Sequence, residues 1–165
     1  MYRPGNIGHH SVTGVTNPND FQSMIIDACT KVNCAPDVSN WAFELTPVDF
    51  LVKSIVLFAG NPSHFGQVFN IVQNYPIQAK VVFDLFIEMK LISEYVSFDE
   101  WKSRLYKKAE KEGDYILSVL AQSLEDVEMY LNDKSIYDCS QFENALSKYS
   151  LLRPLTDSNY FKKLN

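Results

Sequence analysis

Tyr130 and Lys134 have the residue types and the spacing that acid catalysis could use, because both side chains could share one face of a helix. A neighbouring lysine lowers the pKa of a tyrosine, which can then donate a proton to a developing alkoxide. Such a step needs a bound hydride donor, and closely spaced glycines usually bind the pyrophosphate of that donor. The six glycines lie at positions 5, 8, 14, 60, 66 and 113, and no three form Gly-x-x-Gly-x-x-Gly.

The adjacent His9 and His10 and the pair Cys29 and Cys34 could in principle bind a metal ion or supply a nucleophile. Adjacent histidines do not share a face of a strand, and no cluster of Asp, Glu or Cys accompanies them. The two cysteines are not at zinc-finger spacing. We predict no metal site: the histidines form a solvent-facing loop pair or line a substrate entrance, and Cys29 belongs to the core.

Length and composition predict one globular domain. The chain has 165 residues, 46% of them hydrophobic, and a net charge of −5. The acidic balance argues against a nucleic-acid partner, since phosphate binding needs clustered Lys and Arg. No stretch reaches the roughly 18 apolar residues of a membrane span. Three cysteines without framework spacing, and no signal peptide, predict a cytoplasmic protein with free thiols.

Strand and helix patterns alternate over residues 1–96. Residues 46–49, Thr-Pro-Val-Asp, are typical of a helix start in which Thr46 caps the helix and Asp49 reaches back to the cap. Asn17 to Asp20 offer cap residues for an earlier helix. The patterns predict these elements: helix 21–32, strand 41–45, helix 47–59, strand 67–72 and helix 77–89.

Residues 97–165 carry helical patterns only. A capping-box start at Ser97 opens the first helix, which runs to Gly113 and includes Trp101 as a predicted core residue. Further helices are predicted at 115–131, 139–149 and 158–163. Strand–helix alternation followed by helices predicts an α/β fold with a helical C-terminal part. Two or three short strands make a thin sheet, which fits a piece of a larger sheet better than a complete doubly wound domain.

Several motifs carry a resemblance to one family. They are Tyr2-Arg-Pro-Gly-Asn-Ile-Gly8, Ser11-Val-Thr-Gly14 and Asn17-Pro-Asn-Asp20, then Ala35-Pro36, Thr46-Pro-Val-Asp-Phe50, Val68-Phe-Asn-Ile71, Trp101 and Arg153-Pro-Leu-Thr-Asp157. Together they resemble the C-terminal half of a terminal thioester reductase domain. These extended short-chain dehydrogenase-like domains end many polyketide synthases, nonribosomal peptide synthetases and aminoadipate reductases.

The resemblance implies a single partial domain over 1–165: a partial Rossmann-like sheet in 1–96 and a mostly helical substrate-binding lid in 97–165. It implies reduction of a carrier-bound thioester to an aldehyde or alcohol with hydride from NADPH. By position in the motifs, the residues expected beside the cofactor are Arg3, Pro4, Gly5, Asn6 and Ile7. Those expected to bind substrate are Gly14, Asn19 and Asp20.

The chain departs from the family in one respect. The glycine loop and the catalytic Tyr-x-x-x-Lys lie upstream of Arg-Pro-Gly in the family, and neither is present here upstream of Arg3. We therefore interpret Tyr130 as a tyrosine near a helix end and Lys134 as solvated, and predict no catalytic residue. The chain alone is expected to be inactive. Its expected partners are a phosphopantetheine carrier domain with its acyl thioester, or the missing N-terminal half of the reductase.

Several alternatives stay open from sequence. A non-catalytic acyl- or carrier-binding module, or a structural α-rich protein, would also fit these residues. Arg3 could contact cofactor phosphate or form a structural salt bridge, and Asn19 and Asp20 could cap a helix instead of orienting substrate. A face of four lysines could be merely solvated or could dock an acidic carrier protein; its residues are Lys102, Lys107, Lys108 and Lys111.

Overall fold

The computed structural model describes residues 1–132 and 135–164, except the side chains of Glu125 and Val127. In chain order the elements are β1 (Tyr2–Pro4), β2 (Ile7–Gly8), α1 (Phe21–Val32), β3 (Cys34–Pro36), β4 (Ala42–Phe43), β5 (Thr46–Pro47), α2 (Val48–Ala59), a 3-10 helix (Pro62–His64), β6 (Phe69–Ile71), β7 (Ile77–Gln78), α3 (Ala79–Glu88), β8 (Glu94–Val96), α4 (Phe98–Glu112), α5 (Tyr115–Gln122), α6 (Leu124–Leu131), α7 (Ser140–Leu146) and α8 (Ser158–Phe161).

The described residues form two compact units. Unit 1 contains residues 1–16, 44–76 and 135–164, and unit 2 contains residues 17–43 and 77–132. Neither coincides with the 1–96 or 97–165 part expected from sequence, because both parts contribute residues to each unit. The predicted α/β class is confirmed.

Unit 1 is built on two short parallel ladders, β1 with β6 and β2 with β5. Residues of α2, β6 and α7 form its apolar core, in which Phe58, Phe69 and Phe142 are almost completely buried. The ring of Phe58 lies 4.8 Å from that of Phe69 and 5.5 Å from that of Phe142. Such tilted aromatic pairs add to the free energy gained by burying the rings. Packing of α2 and α7 against β6 therefore fixes where the ends of β1 and β6 lie.

Unit 2 combines a parallel pair, β3 with β8, and an antiparallel pair, β4 with β7. Helices α1, α4 and α5 pack together around Trp101, which is fully buried with its ring 5.9 Å from that of Trp41. Cys29 is also fully buried and free. The predictions that Cys29 and Trp101 belong to the core are therefore confirmed.

Some of the helix bounds and caps predicted from local sequence patterns are confirmed, and others are wrong. Helix α1 has the predicted bounds, and Asp20 caps it by accepting the N–H of Ser23 at 2.9 Å. The predicted start of α2 is wrong: Pro47 is at the N-cap with no side-chain cap, and Thr46 belongs to β5. Residues 115–131 form two helices that meet at Ser123.

The strands and later helices differ from prediction mainly in length. The strands predicted at 41–45 and 67–72 shorten to β4 and β6, and residues 77–78 form β7 before α3 begins. Ser97 caps α4 through the N–H of Glu100, and Gly113 ends it in the left-handed conformation with φ 63°. The helices predicted at 139–149 and 158–163 are the shorter α7 and α8.

Tyr130 packs edge-on against Phe21 with ring centroids 5.2 Å apart, whereas Lys134 lies outside the described residues. Over 1–132 and 135–164, no three or more His, Cys, Asp or Glu side chains could together hold a metal ion. None of the helices described there has the length and apolar character needed to cross a membrane.

Candidate functional site

The carboxyl ends of β1 and β6 lie side by side, because the two strands are parallel with Pro4 opposite Ile71. In parallel sheets ligands bind in the crevice beyond these ends. The side chain of Glu44 bridges the two segments that follow these strands. It accepts the N–H of Asn6 at 2.5 Å and the N–H of Gln73 at 2.7 Å. Glu44 thus fixes the turn that follows Arg-Pro-Gly.

Gly5 occupies a position where a side chain would not fit. A Cβ placed there would collide with the carboxylate of Glu44. The N–H of Gly5 also donates to the carbonyl of Ile71 at 3.0 Å, which extends the ladder by one residue. A glycine is therefore required for this close approach between the turn and the Glu44 carboxylate.

Burial raises the pKa of Glu44, while the N–H groups of Gln73 and Asn6, the Thr46 hydroxyl and the charge of Arg153 oppose the rise. Arg153 itself donates to Glu143 at 2.7 Å, and its guanidinium lies 4.8 Å from the centre of the Phe50 ring. The carboxylate of Glu44 is therefore partly desolvated, and backbone N–H groups donate hydrogen bonds to it.

The five residues expected beside the cofactor form this edge of unit 1. Arg3 and Pro4 are exposed, Ile7 is 39% exposed, and Gly5 and Asn6 are partly buried. Arg3 lies opposite Asn70 in the ladder. The structure brings all five together at the carboxyl end of β1, and it provides room at Arg3 and Pro4 for a ligand to approach.

The loop after β2 is held by Asp49 at the start of α2. One oxygen of Asp49 accepts the N–H of Ser11 at 2.7 Å, and the other accepts the Ser11 hydroxyl at 2.9 Å. Burial opposes ionisation, but these bonds and His10 lower the pKa of Asp49 below its usual value. The expectation that Asp49 caps its own helix is therefore corrected, since its side chain fastens another segment.

His9 is buried, which corrects the expectation of a solvent-facing pair. Its side chain stacks on Tyr160 with ring centroids 3.5 Å apart, and its Nε2 lies 3.0 Å from the Tyr160 carbonyl oxygen. Because a carbonyl only accepts, Nε2 carries the proton. His10 is 37% exposed, and its Nδ1 accepts the N–H of Val12 at 3.2 Å. Neither ring is arranged with other residues as a metal ligand.

The three residues expected to bind substrate fall in different units. Gly14, in unit 1, has φ 72°, and a Cβ there would overlap the carbonyl of Lys163. Asn19 and Asp20, in unit 2, have local roles: Asp20 caps α1, and the N–H of Asn19 donates to Asn17 Oδ1 at 3.1 Å. These roles explain the residue types at Gly14 and Asp20 by local geometry.

Residues 1–55 match the NAD_binding_4 family, described as male sterility protein. The chain is 32% identical over 176 residues to the nonribosomal peptide synthetase FrzA of Cladobotryum sp, covering 99% of this chain and 17% of that protein. It thus spans about a sixth of the length of this relative.

Two solved structures share the fold. The terminal R domain from the myxalamid PKS-NRPS pathway superposes with a TM-score of 0.81 at 24% identity, covering 99% of this chain and 42% of that chain. Together with the match to NAD_binding_4 and the similarity to FrzA, this shared fold supports a fragment of a thioester reductase domain. A thiolation-reductase di-domain from an archaeal nonribosomal peptide synthetase has a TM-score of 0.65 at 19% identity, covering 99% of this chain and 34% of that chain.

The sequence patterns did not reveal two residues that shape this site, Glu44 and Tyr160. Glu44 was detectable as the one charged residue among Trp41 to Leu45. A carboxylate in a partly buried strand indicates that hydrogen-bond or charge partners lie nearby. Tyr160 offered no such signal. Its partner His9 is 151 positions away in the chain, beyond the reach of any local pattern.

Lowering the pH below about 6.5 is expected to destabilise the folded chain through His9. Burial lowers the pKa of His9 from the usual 6.5, and Lys163 adds to the effect, although the bond to Tyr160 and the charge of Asp49 oppose it. The unfolded chain therefore takes up this proton at higher pH than the folded chain. The contribution of His9 is complete above pH 6.5 and declines as the pH falls towards the lowered pKa.

Urea unfolding at a series of pH values measures this effect, whose slope is at most about 1.4 kcal/mol per pH unit for one proton. His9→Phe retains an aromatic ring against Tyr160 and should flatten the profile below pH 6.5. Asp49, with its pKa below the usual 3.8, loses its contribution only as the pH falls below that value. Equal slopes for the wild type and His9→Phe would contradict this assignment.

Proposed function

We propose that the chain is the substrate-binding C-terminal portion of an NADPH-dependent thioester reductase domain that reductively releases a carrier-bound acyl or peptidyl chain. The observation that carries this proposal is the Gly5–Asn6 turn, held by Glu44 at the adjoining carboxyl ends of β1 and β6. Sequence relatedness to FrzA over 99% of the chain supports it.

The residues present fit one end of the cofactor. Arg3 and Pro4 are exposed next to the turn that Glu44 holds, and they leave room for a flat ring to approach that turn. The glycine loop that would cradle a pyrophosphate is not among these 165 residues. The chain therefore fits the nicotinamide end and leaves the pyrophosphate end to another segment.

When bound, NADPH would supply the hydride that, with one proton, converts the acyl thioester to an aldehyde and the free carrier thiol; a second hydride and proton would give the alcohol. In this proposal Arg3, Pro4, Gly5, Asn6 and Ile7 shape the cofactor side of the cleft. Gly14, Asn19 and Asp20 are proposed as substrate-binding residues, each through the segment whose shape it sets.

The partner in this proposal is a phosphopantetheine carrier domain, or the N-terminal half of a reductase domain that supplies the glycine loop and the Tyr-x-x-x-Lys pair. The structurally similar di-domain joins a thiolation domain to a reductase, which supports a carrier as partner. The assignment of 1–165 to one partial domain, with an α/β part to residue 96 and a helical lid after it, and the cytoplasmic location stay predictions.

Titration calorimetry of the purified chain tests the proposal. We expect heat of binding with an S-acyl-pantetheine and none with NADPH at micromolar concentrations. Pantetheine without an acyl chain is the control ligand, because it separates binding of the acyl group from binding of the arm. Micromolar NADPH binding would show that the chain completes a cofactor site by itself, and no binding of the acyl thioester would contradict a substrate-binding role.

The lack of a glycine loop within these residues also favours a second candidate, a non-catalytic acyl- or carrier-binding module. A chimera distinguishes the two: this chain replaces the matching segment of FrzA, and consumption of NADPH with an acyl-carrier thioester is followed by absorbance. Turnover supports the reductase portion. A folded chimera that binds the acyl carrier without oxidising NADPH supports the module.

A further inference from the structure

Helix α8 and the residue after its C-cap hold the loop that follows β2, here called the entrance loop (His9–Gly14). The hydroxyl of Tyr160 donates to the carbonyl of His9 at 2.8 Å, and His9 Nε2 donates back to the carbonyl of Tyr160 at 3.0 Å. Lys163 Nζ donates to the Ser11 carbonyl at 2.5 Å. The start of the entrance loop at His9 and its middle at Ser11 are therefore tied to one short stretch of chain.

Two glycines allow α8 to lie this close. A Cβ on Gly8 would collide with the hydroxyl of Tyr160, and a Cβ on Gly14 would overlap the carbonyl of Lys163. The two positions bracket the entrance loop in the sequence. Their residue type is thus explained by the approach of α8, independently of any ligand.

The entrance loop has a second attachment on α2. Asp49 accepts both the N–H and the hydroxyl of Ser11. The loop also closes on itself, since the N–H of Gly14 donates to the carbonyl of His10 at 3.0 Å and the N–H of His10 donates to the carbonyl of Val15 at 2.9 Å. Between these attachments, Val12 and Thr13 are exposed, and Val12 is 69% exposed.

We propose that Tyr160 is a positioning residue that fixes the entrance loop and thereby sets which acyl chains the site accepts. The inference rests on the proposed function, in which this loop borders the substrate. Tyr160 contacts the loop through His9: its ring stacks on the ring of His9, and its hydroxyl and its carbonyl each form a hydrogen bond with His9. The attachments of Ser11 and Gly14 fix the apolar side chain of Val12 between them, so that it presents a fixed surface to an acyl chain. When the loop is not fixed, Val12 does not present such a surface.

Tyr160→Phe tests the proposal, because it removes one hydrogen bond and keeps the stacked ring and the fold. Tyr149→Phe is the matched control. It removes another tyrosine hydroxyl of unit 1, one that accepts from Asn61 at 2.7 Å and lies 2.9 Å from His64 Nε2. Both variants are first compared with the wild type in a thermal melt, which establishes that each is folded.

Hydrogen exchange gives the readout that does not depend on function. In Tyr160→Phe the amides of His10, Ser11 and Gly14 should exchange about two- to tenfold faster, as expected for the loss of one neutral hydrogen bond. The amides of β6 should keep the wild-type rate, and Tyr149→Phe should leave the entrance loop unchanged. Unchanged exchange at all three loop amides would overturn the role of Tyr160 in fixing the loop.

Calorimetry with S-butanoyl- and S-dodecanoyl-pantetheine gives the functional readout. Tyr160→Phe should change the ratio of the two affinities by about threefold or more, an energy within the range of one hydrogen bond, and Tyr149→Phe should not change it. An altered loop with an unaltered ratio would overturn the selectivity role. A wild type that binds neither thioester would overturn the proposed function and that role together, while the exchange result still decides whether Tyr160 fixes the loop.

Discussion

Replacing Glu44 with alanine is expected to lower the free energy of unfolding by about 2–4 kcal/mol. The side chain accepts two backbone N–H groups, those of Asn6 and Gln73, from segments that follow β1 and β6. Each partly buried donor left without an acceptor costs about 1–3 kcal/mol. Alanine also leaves the space beside Gly5 empty, so the turn after Arg-Pro-Gly loses its support as well as its hydrogen bonds.

Urea unfolding of Glu44→Ala, Glu44→Gln and a control measures the effect. Glutamine retains one acceptor oxygen but directs its NH₂ group at the second N–H, so we expect an intermediate loss. Glu88→Ala, an exposed residue near the end of α3, should change stability by less than about 0.5 kcal/mol. A loss for Glu44→Ala no larger than that of Glu88→Ala would show that Glu44 does not hold the turn.

Gly14→Ala is expected to destabilise the chain by about 2–4 kcal/mol. Part of the loss, about 1 kcal/mol, comes from a left-handed backbone that alanine disfavours. The larger part comes from the new methyl group, which would overlap the carbonyl of Lys163. The backbone at Lys163 must therefore move away. Overpacking of this kind costs about 1–3 kcal/mol.

Gly66→Ala is the matched control, because Gly66 has a similar φ of 78° and nothing within 4 Å of an added Cβ. It should lose only the backbone contribution, about 1 kcal/mol. The difference between the two variants in urea unfolding isolates the contact of the entrance loop with the C-terminal segment. Equal losses would mean that the loop and Lys163 can separate without cost.

Local patterns predicted those parts of the fold whose causes are local. The bounds of α1, its cap at Asp20, and the capped start of α4 at Ser97 all follow from side chains within one helical turn. The buried state of Cys29 and Trp101 follows from their place on apolar helix faces. The family motifs also located the turn at Gly5 and Asn6, which the structure places at the carboxyl end of β1.

The parts that failed have distant causes. Asp49 has the right spacing for a helix cap, but Ser11 offers it two donors from another segment. His9 has the neighbours of a surface loop, but Tyr160 covers it from the far end of the sequence. The carboxylate of Glu44 depends on N–H groups that two separate strands bring together. No window of sequence contains both members of any of these pairs, so only the fold could reveal them.

The way the chain is divided between its units has a consequence for its synthesis. Unit 1 draws on three separate stretches, the last of which begins at residue 135, whereas every described residue of unit 2 precedes position 133. A chain emerging from the ribosome can therefore complete unit 2 while unit 1 still lacks α7 and α8. Closing contacts over such long separations is entropically slow. The turn at Gly5 and the entrance loop, although made before α7 and α8, are expected to become native only after those helices.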